Sequence, residues 1–183
     1  GTLAYLASGQ GDAVGLYCAG QTFQREIRPK RSPAHLKFVL DELGAMKAEG
    51  ETGLPKTLHE AAERIAQRAM VIVISDLFMS PEELRSSFQH LRFRKHDVVM
   101  FHLVEQNEID FEFDRPVRFV DLEGMGPLLV DPTMIAKEYR QAVQTWLEEL
   151  RIVFRDTGVD YHRININENY ADVLARFLLA RKK

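Results

Sequence analysis

The sequence predicts an α/β fold, a three-layer, doubly wound arrangement around a mostly parallel sheet. Short runs rich in β-branched residues alternate with segments whose apolar residues recur every three or four positions, which is the pattern of strands alternating with helices. Two of the strand-like runs, 70–75 and 98–104, are apolar almost throughout. Such runs are typical of parallel strands that helices cover on both faces.

The predicted elements follow one another in a regular order. Turn residues bound five strand-like runs, at 12–19, 23–28, 70–75, 97–104 and 160–166. Helical spacing predicts a short first helix at 2–8 and longer helices at 33–47, 55–68, 81–94, 132–156 and 170–181. Ser or Asp stands directly before Pro at the start of three of these helices, at 32–33, 80–81 and 131–132, which predicts that Ser32, Ser80 and Asp131 cap them. Gly158 ends the longest helix.

Residues 105–130 interrupt this alternation. Asp and Glu are dense there, and short apolar runs near 118–120 and 128–130 predict a small hairpin inserted between two βα units. With 183 residues, 45% of them hydrophobic, the chain is long enough for one well-buried core. We therefore expect residues 1–183 to form one domain, with an insertion at about 105–130.

The composition argues against several classes of partner and location. Lys and Arg number 24 and Asp and Glu 27, so neither nucleic acid nor an anionic membrane is indicated. No apolar run approaches the roughly 20 residues that span a bilayer. The single cysteine, Cys18, lies in an apolar strand and cannot form an internal disulfide. These features predict a cytoplasmic protein, although membrane segments upstream in a longer parent stay open because the chain does not begin with Met.

Two polar positions lie where parallel α/β folds bind ligands, near the carboxyl ends of strands. Thr52 stands in the loop before one helix, and Asp76 directly follows the apolar strand 70–75. Both resemble elements of the metal-ion-dependent adhesion site of von Willebrand factor A domains, in which a loop Thr and a strand-end Asp help to hold a divalent cation. The resemblance implies that Thr52 and Asp76 meet at one edge of the sheet as ligands of Mg²⁺, which prefers hard oxygen donors.

A longer series of landmarks narrows this resemblance. The landmarks follow in order at 10–16, 29–43, 50–52, 75–77, 96–99, 130–132 and 158–161. The series is similar to a bacterial family numbered fifty-eight among the domains of unknown function, and it covers nearly the whole chain. The resemblance implies a von Willebrand A-like domain often encoded beside MoxR-type AAA+ ATPases. It further implies an adaptor or co-chaperone that binds the ATPase or its client and is not an enzyme.

One element of the family pattern is missing. The first strand should carry Asp-x-Ser-x-Ser, which supplies the main metal ligands, and the 183 residues contain no such motif. We expect that the sequence begins after that strand and that this stretch binds Mg²⁺ weakly or not at all. The strands at 12–19 and 70–75, which would flank the absent strand, must then close up or accept a foreign strand, because unpaired buried backbone is costly.

Plainer interpretations of the two positions stay open. Thr52 could cap the helix that starts at Pro55, and Asp76 could be a turn residue that binds nearby backbone amides. A metal-dependent hydrolase is an alternative function, with Asp76 as ligand and Glu51 as base, although no further ligands or activated nucleophile stand at a suitable spacing. A purely structural domain without metal is a third reading. The histidines have no ligand spacing, which favours core or solvated roles for them.

Overall fold

The structure, a computed structural model, describes residues 1–20, 25–46, 53–113, 117–120 and 127–181. The chain divides into two compact units, Gly1–Ala61 and Ala62–Lys183. No helix in these described ranges combines the length and the apolar character that crossing a membrane requires.

The first unit contains a pair of strands and the helices that flank them in the chain. Its elements are α1 (Thr2–Gly9), β1 (Val14–Cys18), β2 (Arg25–Lys30), α2 (Pro33–Ala45) and the start of α3 (Leu54–Arg64), which ends in the second unit. β1 and β2 pair antiparallel, from Val14 opposite Lys30 to Cys18 opposite Arg25. The sequence predicts both strands but not their antiparallel pairing, because strand and helix alternation favours parallel neighbours.

A small apolar cluster holds the first unit together. Val14, Ile27 and Val39 are its buried members, and half-buried residues of α1, β1 and α2 pack against them. The sequence places α2 correctly through its cap. The Oγ of Ser32 accepts a hydrogen bond from the backbone N–H of His35 at 3.1 Å, which satisfies one of the donors left open at a helix start.

The second unit is built on a parallel sheet. Its elements are β3 (Met70–Ser75), α4 (Pro81–Phe93), β4 (Asp97–Val104), α5 (Gln106–Asp110), β5 (Val117–Val120), β6 (Pro127–Val130), α6 (Pro132–Thr157), β7 (Asp160–Asn165) and α7 (Tyr170–Ala180). β3, β4 and β7 lie side by side in chain order, and both neighbouring pairs are parallel. β5 and β6 form a separate antiparallel pair where the sequence predicts a hairpin. A mixed α/β fold with a parallel sheet is therefore confirmed.

Helices contact both faces of this sheet. Phe154 of α6 stacks on Tyr161 of β7, with ring centroids 4.6 Å apart. Phe177 of α7 meets Phe101 of β4 edge to face, at 5.0 Å. Tyr161 lies opposite Met100 in the strand register, one position before Phe101, and successive side chains of a strand point to opposite faces. α6 and α7 therefore pack on opposite faces.

β3 departs from the prediction that helices cover both of its faces. Met70 and Ile74 are 52% and 61% exposed, and Val73 alone among its six residues is buried. Ile74 lies opposite Phe101 in the register, on the face where α7 packs against β4. Within the described part of the second unit, the Phe177 ring reaches β4 and leaves the same face of β3 open. The apolar run predicts a parallel strand correctly and overestimates its burial.

Candidate functional site

A tight turn carries the chain away from the carboxyl end of β3. Leu77 has a left-handed backbone, with φ at 58°, and its side chain is fully buried. The N–H of Leu77 donates to the Oγ of Ser75 at 3.1 Å, and its carbonyl accepts from the N–H of Met79 at 2.6 Å. With Leu77 directed inward, its neighbours Asp76 and Phe78 lie exposed at the strand end. A left-handed non-glycine residue costs on the order of 1–3 kcal/mol, and such strain persists where packing fixes it, often at functional sites.

A buried chain of hydrogen bonds links this turn to the other two strands. His102 of β4 is fully buried; its Nε2 lies 3.0 Å from the carbonyl oxygen of Asp76, and its Nδ1 lies 2.8 Å from the hydroxyl of Tyr161 on β7. A carbonyl oxygen can only accept, so Nε2 carries the proton and donates it to Asp76. Nδ1 then accepts from the Tyr161 hydroxyl. The chain runs from Tyr161 through His102 to the Asp76 backbone and fixes the end of β3.

Burial also fixes the protonation states in this chain. It lowers the pKa of His102 to about 4 and raises the pKa of Tyr161 to about 12. Both side chains are therefore neutral over the physiological range, in agreement with the assigned donors and acceptors. Both ring nitrogens of His102 are engaged inside the protein, so the imidazole has neither the access nor the basicity that a general base needs.

An apolar hollow of about 390 Å³ opens beside the turn. Phe78 stacks on Trp146 of α6, with ring centroids 5.8 Å apart and planes 3° apart. The indole Nε1 of Trp146 donates to the carbonyl of Met79 at 3.3 Å, which ties α6 to the turn. The Tyr139 hydroxyl donates to the carbonyl of Glu108 at 3.0 Å. The wall is completed by the side chains of Asp76, His102, Val104, Ile109, Ala142, Val143 and Leu147.

Of the two predicted metal ligands, the structure describes only one. Asp76 lies at the carboxyl end of β3, as predicted, and its Oδ1 is 3.4 Å from the Oγ of Ser75. Thr52 and the alternative base Glu51 lie outside the described residues, so whether Thr52 and Asp76 meet stays a prediction. In the described ranges, no group of three or more His, Cys, Asp or Glu could hold a metal ion.

The described residues around the turn supply fewer free oxygen ligands than Mg²⁺ requires. Mg²⁺ demands near-octahedral oxygen ligands and is often held by one or two carboxylates with several waters. The described residues around the turn supply one exposed carboxylate, that of Asp76, and the nearby Ser75 hydroxyl accepts from a backbone N–H. These residues do not by themselves fit a complete metal site. We therefore assign them no step that passes through a metal.

The sequence predicts that Asp76 lies at the end of a strand, but it does not predict most of the residues that surround Asp76 in the structure. The expectation that the histidines take satisfied core roles is confirmed for His102. Its bonding to Tyr161 could not be read from the sequence, because the two residues lie 59 positions apart and meet only through strand register. The helical spacing of α6 favours a core position for Trp146, whereas the structure shows it half-buried and lining the hollow. The signal that could have found the site is Phe78, an aromatic residue two positions after the strand-end Asp76.

An apolar hollow lies at the carboxyl ends of the parallel strands, rimmed by the exposed carboxylate of Asp76. In parallel α/β folds this is the edge at which ligands most often bind. Residues 1–149 of the 183 match the family described as Protein of unknown function DUF58, and the chain belongs to this family. The comparison with curated proteins gives no significant match.

Proposed function

We propose that this chain is a non-catalytic protein-binding module that docks a partner at the carboxyl ends of β3 and β4. The observation that carries the proposal is the exposed ring of Phe78, 63% exposed and stacked on Trp146 beside the Asp76 carboxylate. Exposed aromatic side chains at the mouth of an apolar hollow are typical of docking surfaces, where they anchor a partner at small entropic cost.

The hydrogen bonds around the hollow favour binding over catalysis. The indole of Trp146, the hydroxyl of Tyr139 and the imidazole of His102 are all engaged by groups of the protein itself. A hydrolase needs a nucleophile or base that can reach the substrate. Apart from the carboxylates of Asp76 and Glu108, the polar side chains named here hold the wall of the hollow in place, which supports a surface for recognition.

The family resemblance supplies the partner in this proposal. It favours a MoxR-type AAA+ ATPase or its client, with this domain as adaptor or co-chaperone. A von Willebrand A-like, three-layer architecture belongs to the same proposal. Docking through Mg²⁺ held by Thr52, Asp76 and further oxygen ligands is its metal-dependent version, and a purely structural domain is the alternative.

Binding of the purified protein to the MoxR-type ATPase of the same organism tests the proposal by titration calorimetry. Asp76→Ala and Phe78→Ala are each expected to weaken binding at least tenfold, because hot-spot contacts dominate interface energies. Asp156→Ala is the matched control. It removes a carboxylate ten residues beyond Trp146 on the same helix, about 15 Å further along α6. Equal weakening by all three variants, or by none, would remove the docking surface.

The same titration, repeated with a chelator, decides the role of metal. Loss of binding in chelator supports docking through a metal held at Asp76, because an open coordination position would be completed by the partner. Unchanged binding removes the metal from the proposal and leaves the apolar docking surface intact.

A further inference from the structure

The polar groups that line the hollow beside Phe78 differ in whether they can still form a hydrogen bond with a ligand. The N–H of Trp146 and the hydroxyl of Tyr139 donate to backbone carbonyls, and both nitrogens of His102 are engaged. The two carboxylates of the wall retain acceptor capacity. Within the described part of the chain, the carboxylate of Asp76 hydrogen-bonds to Ser75 alone, at 3.4 Å, and Glu108 uses one carboxylate oxygen to accept from the backbone N–H of Glu105 at 2.8 Å. The hollow therefore offers a ligand negative acceptors on an apolar wall.

A second hollow extends this surface along α6. It has a volume of about 450 Å³ and shares Ala142 and Trp146 with the first. Glu138 and Glu149 stand on its wall. Among the described residues that line the two hollows, four are Asp or Glu and none is Lys or Arg. The charge of the chain as a whole is nearly balanced, with 24 basic and 27 acidic residues. The negative charge of the two hollows, which together we call the groove, is therefore a local feature.

From these observations we infer that the groove takes a basic segment of the partner, with an arginine side chain in the hollow between Asp76 and the Phe78–Trp146 pair. A guanidinium fits both parts of the wall. It forms charge-assisted, bidentate hydrogen bonds with a carboxylate, and its planar, weakly hydrated surface stacks on aromatic rings. Apolar residues beside the arginine cover Phe78, and the acidic side chains on α6 attract further basic residues. The inference rests on the proposed function and names the chemistry of its ligand.

The basic group inferred here has the opposite charge to the acidic group of a partner that would dock through a metal. A cation held at Asp76 would leave an open position for an acidic group of the partner. The groove as described would repel that group, because its lining carboxylates have the same charge. A direct contact with a basic side chain needs no ion and weakens as salt is added.

The fluorescence of Trp146 provides the test, because it is the only tryptophan of the chain and lines both hollows. The probe is the peptide acetyl-Leu-Arg-Leu-amide, titrated in chelator to about 10 mM, a range suited to a single side-chain contact. Peptides with citrulline or Glu in place of Arg are the neutral and acidic controls. We expect a saturable change with the Arg peptide and at least tenfold weaker binding of both controls.

Two variants of the full chain locate the contact. Asp76→Asn keeps the shape of the side chain and removes its charge, so it is expected to reduce Arg-peptide binding at least fivefold. Asp156→Asn makes the same change at the far end of α6 and is expected to bind like wild type. Equal binding of the Arg and citrulline peptides, no saturable signal with any peptide, or equal losses in both variants would overturn the inference. Tighter binding of the Glu peptide would overturn it in favour of an acidic ligand.

The outcome is distinct from that of the proposed function. If the ATPase binds at the Phe78 surface while the Arg and citrulline peptides bind alike, the basic ligand is wrong and the docking surface stands. If the Arg peptide binds through Asp76 while variants of that surface leave ATPase binding unchanged, the groove recognises arginine and the proposed partner is wrong.

Discussion

His102 shows how a single buried polar residue can position exposed neighbours. Its ring occupies the middle of an apolar strand, and it is tolerated there because Asp76 and Tyr161 satisfy both nitrogens. Both ring nitrogens are occupied, so the side chain has no hydrogen bond left for a ligand. Its hydrogen bonds instead hold in place the turn after β3, from which Asp76 and Phe78 project. The sequence shows that a histidine stands in β4, but not that its partners come from the two neighbouring strands.

The titration of His102 predicts acid sensitivity. In the folded protein its pKa is about 4, whereas in the unfolded chain it takes up a proton below about pH 6.5. The unfolded state therefore binds more protons between these values, so stability is complete above about pH 6.5 and falls as the pH drops toward 4. The loss amounts to about 3 kcal/mol at most.

His102→Gln tests this prediction by denaturant unfolding at pH 7, 6, 5 and 4.5. The Gln amide can still donate to the Asp76 carbonyl, but it does not titrate. We expect a shallower fall in the free energy of unfolding with acid. The free energy of unfolding of the variant still falls somewhat with acid, because His96 also has a lowered pKa. The causes are its burial and then the charge of Arg94. A slope identical to that of wild type would show that His102 is not the group responsible.

Tyr161→Phe isolates the other end of the hydrogen-bond chain. The change removes the hydroxyl that donates to the Nδ1 of His102 and leaves a buried acceptor without its partner. We expect the free energy of unfolding to fall by about 1–3 kcal/mol at pH 7. Tyr170→Phe is the control, since Tyr170 is 70% exposed and its hydroxyl can bond to water. Equal stabilities of the two variants would contradict the assigned bond.

At the scale of the element, the sequence predicts helix starts better than helix ends. Asp131 caps α6 through the N–H of Thr133 at 3.0 Å, as the Asp-Pro pair predicts. Ser80 occupies the corresponding position of α4 without a side-chain cap bond. No glycine in the sequence marks the end of α4. It nevertheless closes like the end of α6, and the left-handed residue there is Lys95.

These two helix ends form a matched pair for a stability prediction. In α4 the N–H groups of Lys95 and His96 donate to the carbonyls of Arg92 and Leu91, and in α6 Gly158 and its successor make the equivalent bonds. Lys95 and Gly158 have φ angles of 63° and 68°. Lys95→Gly is therefore expected to raise the free energy of unfolding by up to about 1 kcal/mol, and Gly158→Ala to lower it by about 1 kcal/mol.

Thermal unfolding of the two variants, compared with wild type, checks the pair. Opposite shifts in Tm are the expected result. A Cβ at position 158 would lie no closer than 3.6 Å to Arg92, so the backbone angle and not a clash sets the expected cost. Destabilisation by Lys95→Gly would mean that the lysine side chain contributes more than its backbone strain removes.

For the whole molecule, the sequence predicts the α/β class and the parallel sheet because alternation and apolar strands are local signals. It could not predict the antiparallel partner of β1 or the open face of β3, which depend on where helices come to lie. Closure of β1 and β3, or their pairing with a further strand, stays a prediction, since the two strands belong to different units. The Thr52 loop likewise lies outside the described residues.

The central claim is that partners dock at the carboxyl ends of β3 and β4, and site-specific photocross-linking tests it most directly. A photoreactive phenylalanine analogue replaces Phe78, or Phe93 as the control. Both side chains are largely exposed, at 63% and 82%, and they lie at opposite ends of neighbouring strands, since Phe78 follows β3 and Phe93 precedes β4. We expect the MoxR-type ATPase to cross-link at position 78 and not at position 93. Cross-linking at position 93 alone, or at neither position in a mixture that binds by calorimetry, would contradict the docking surface described here.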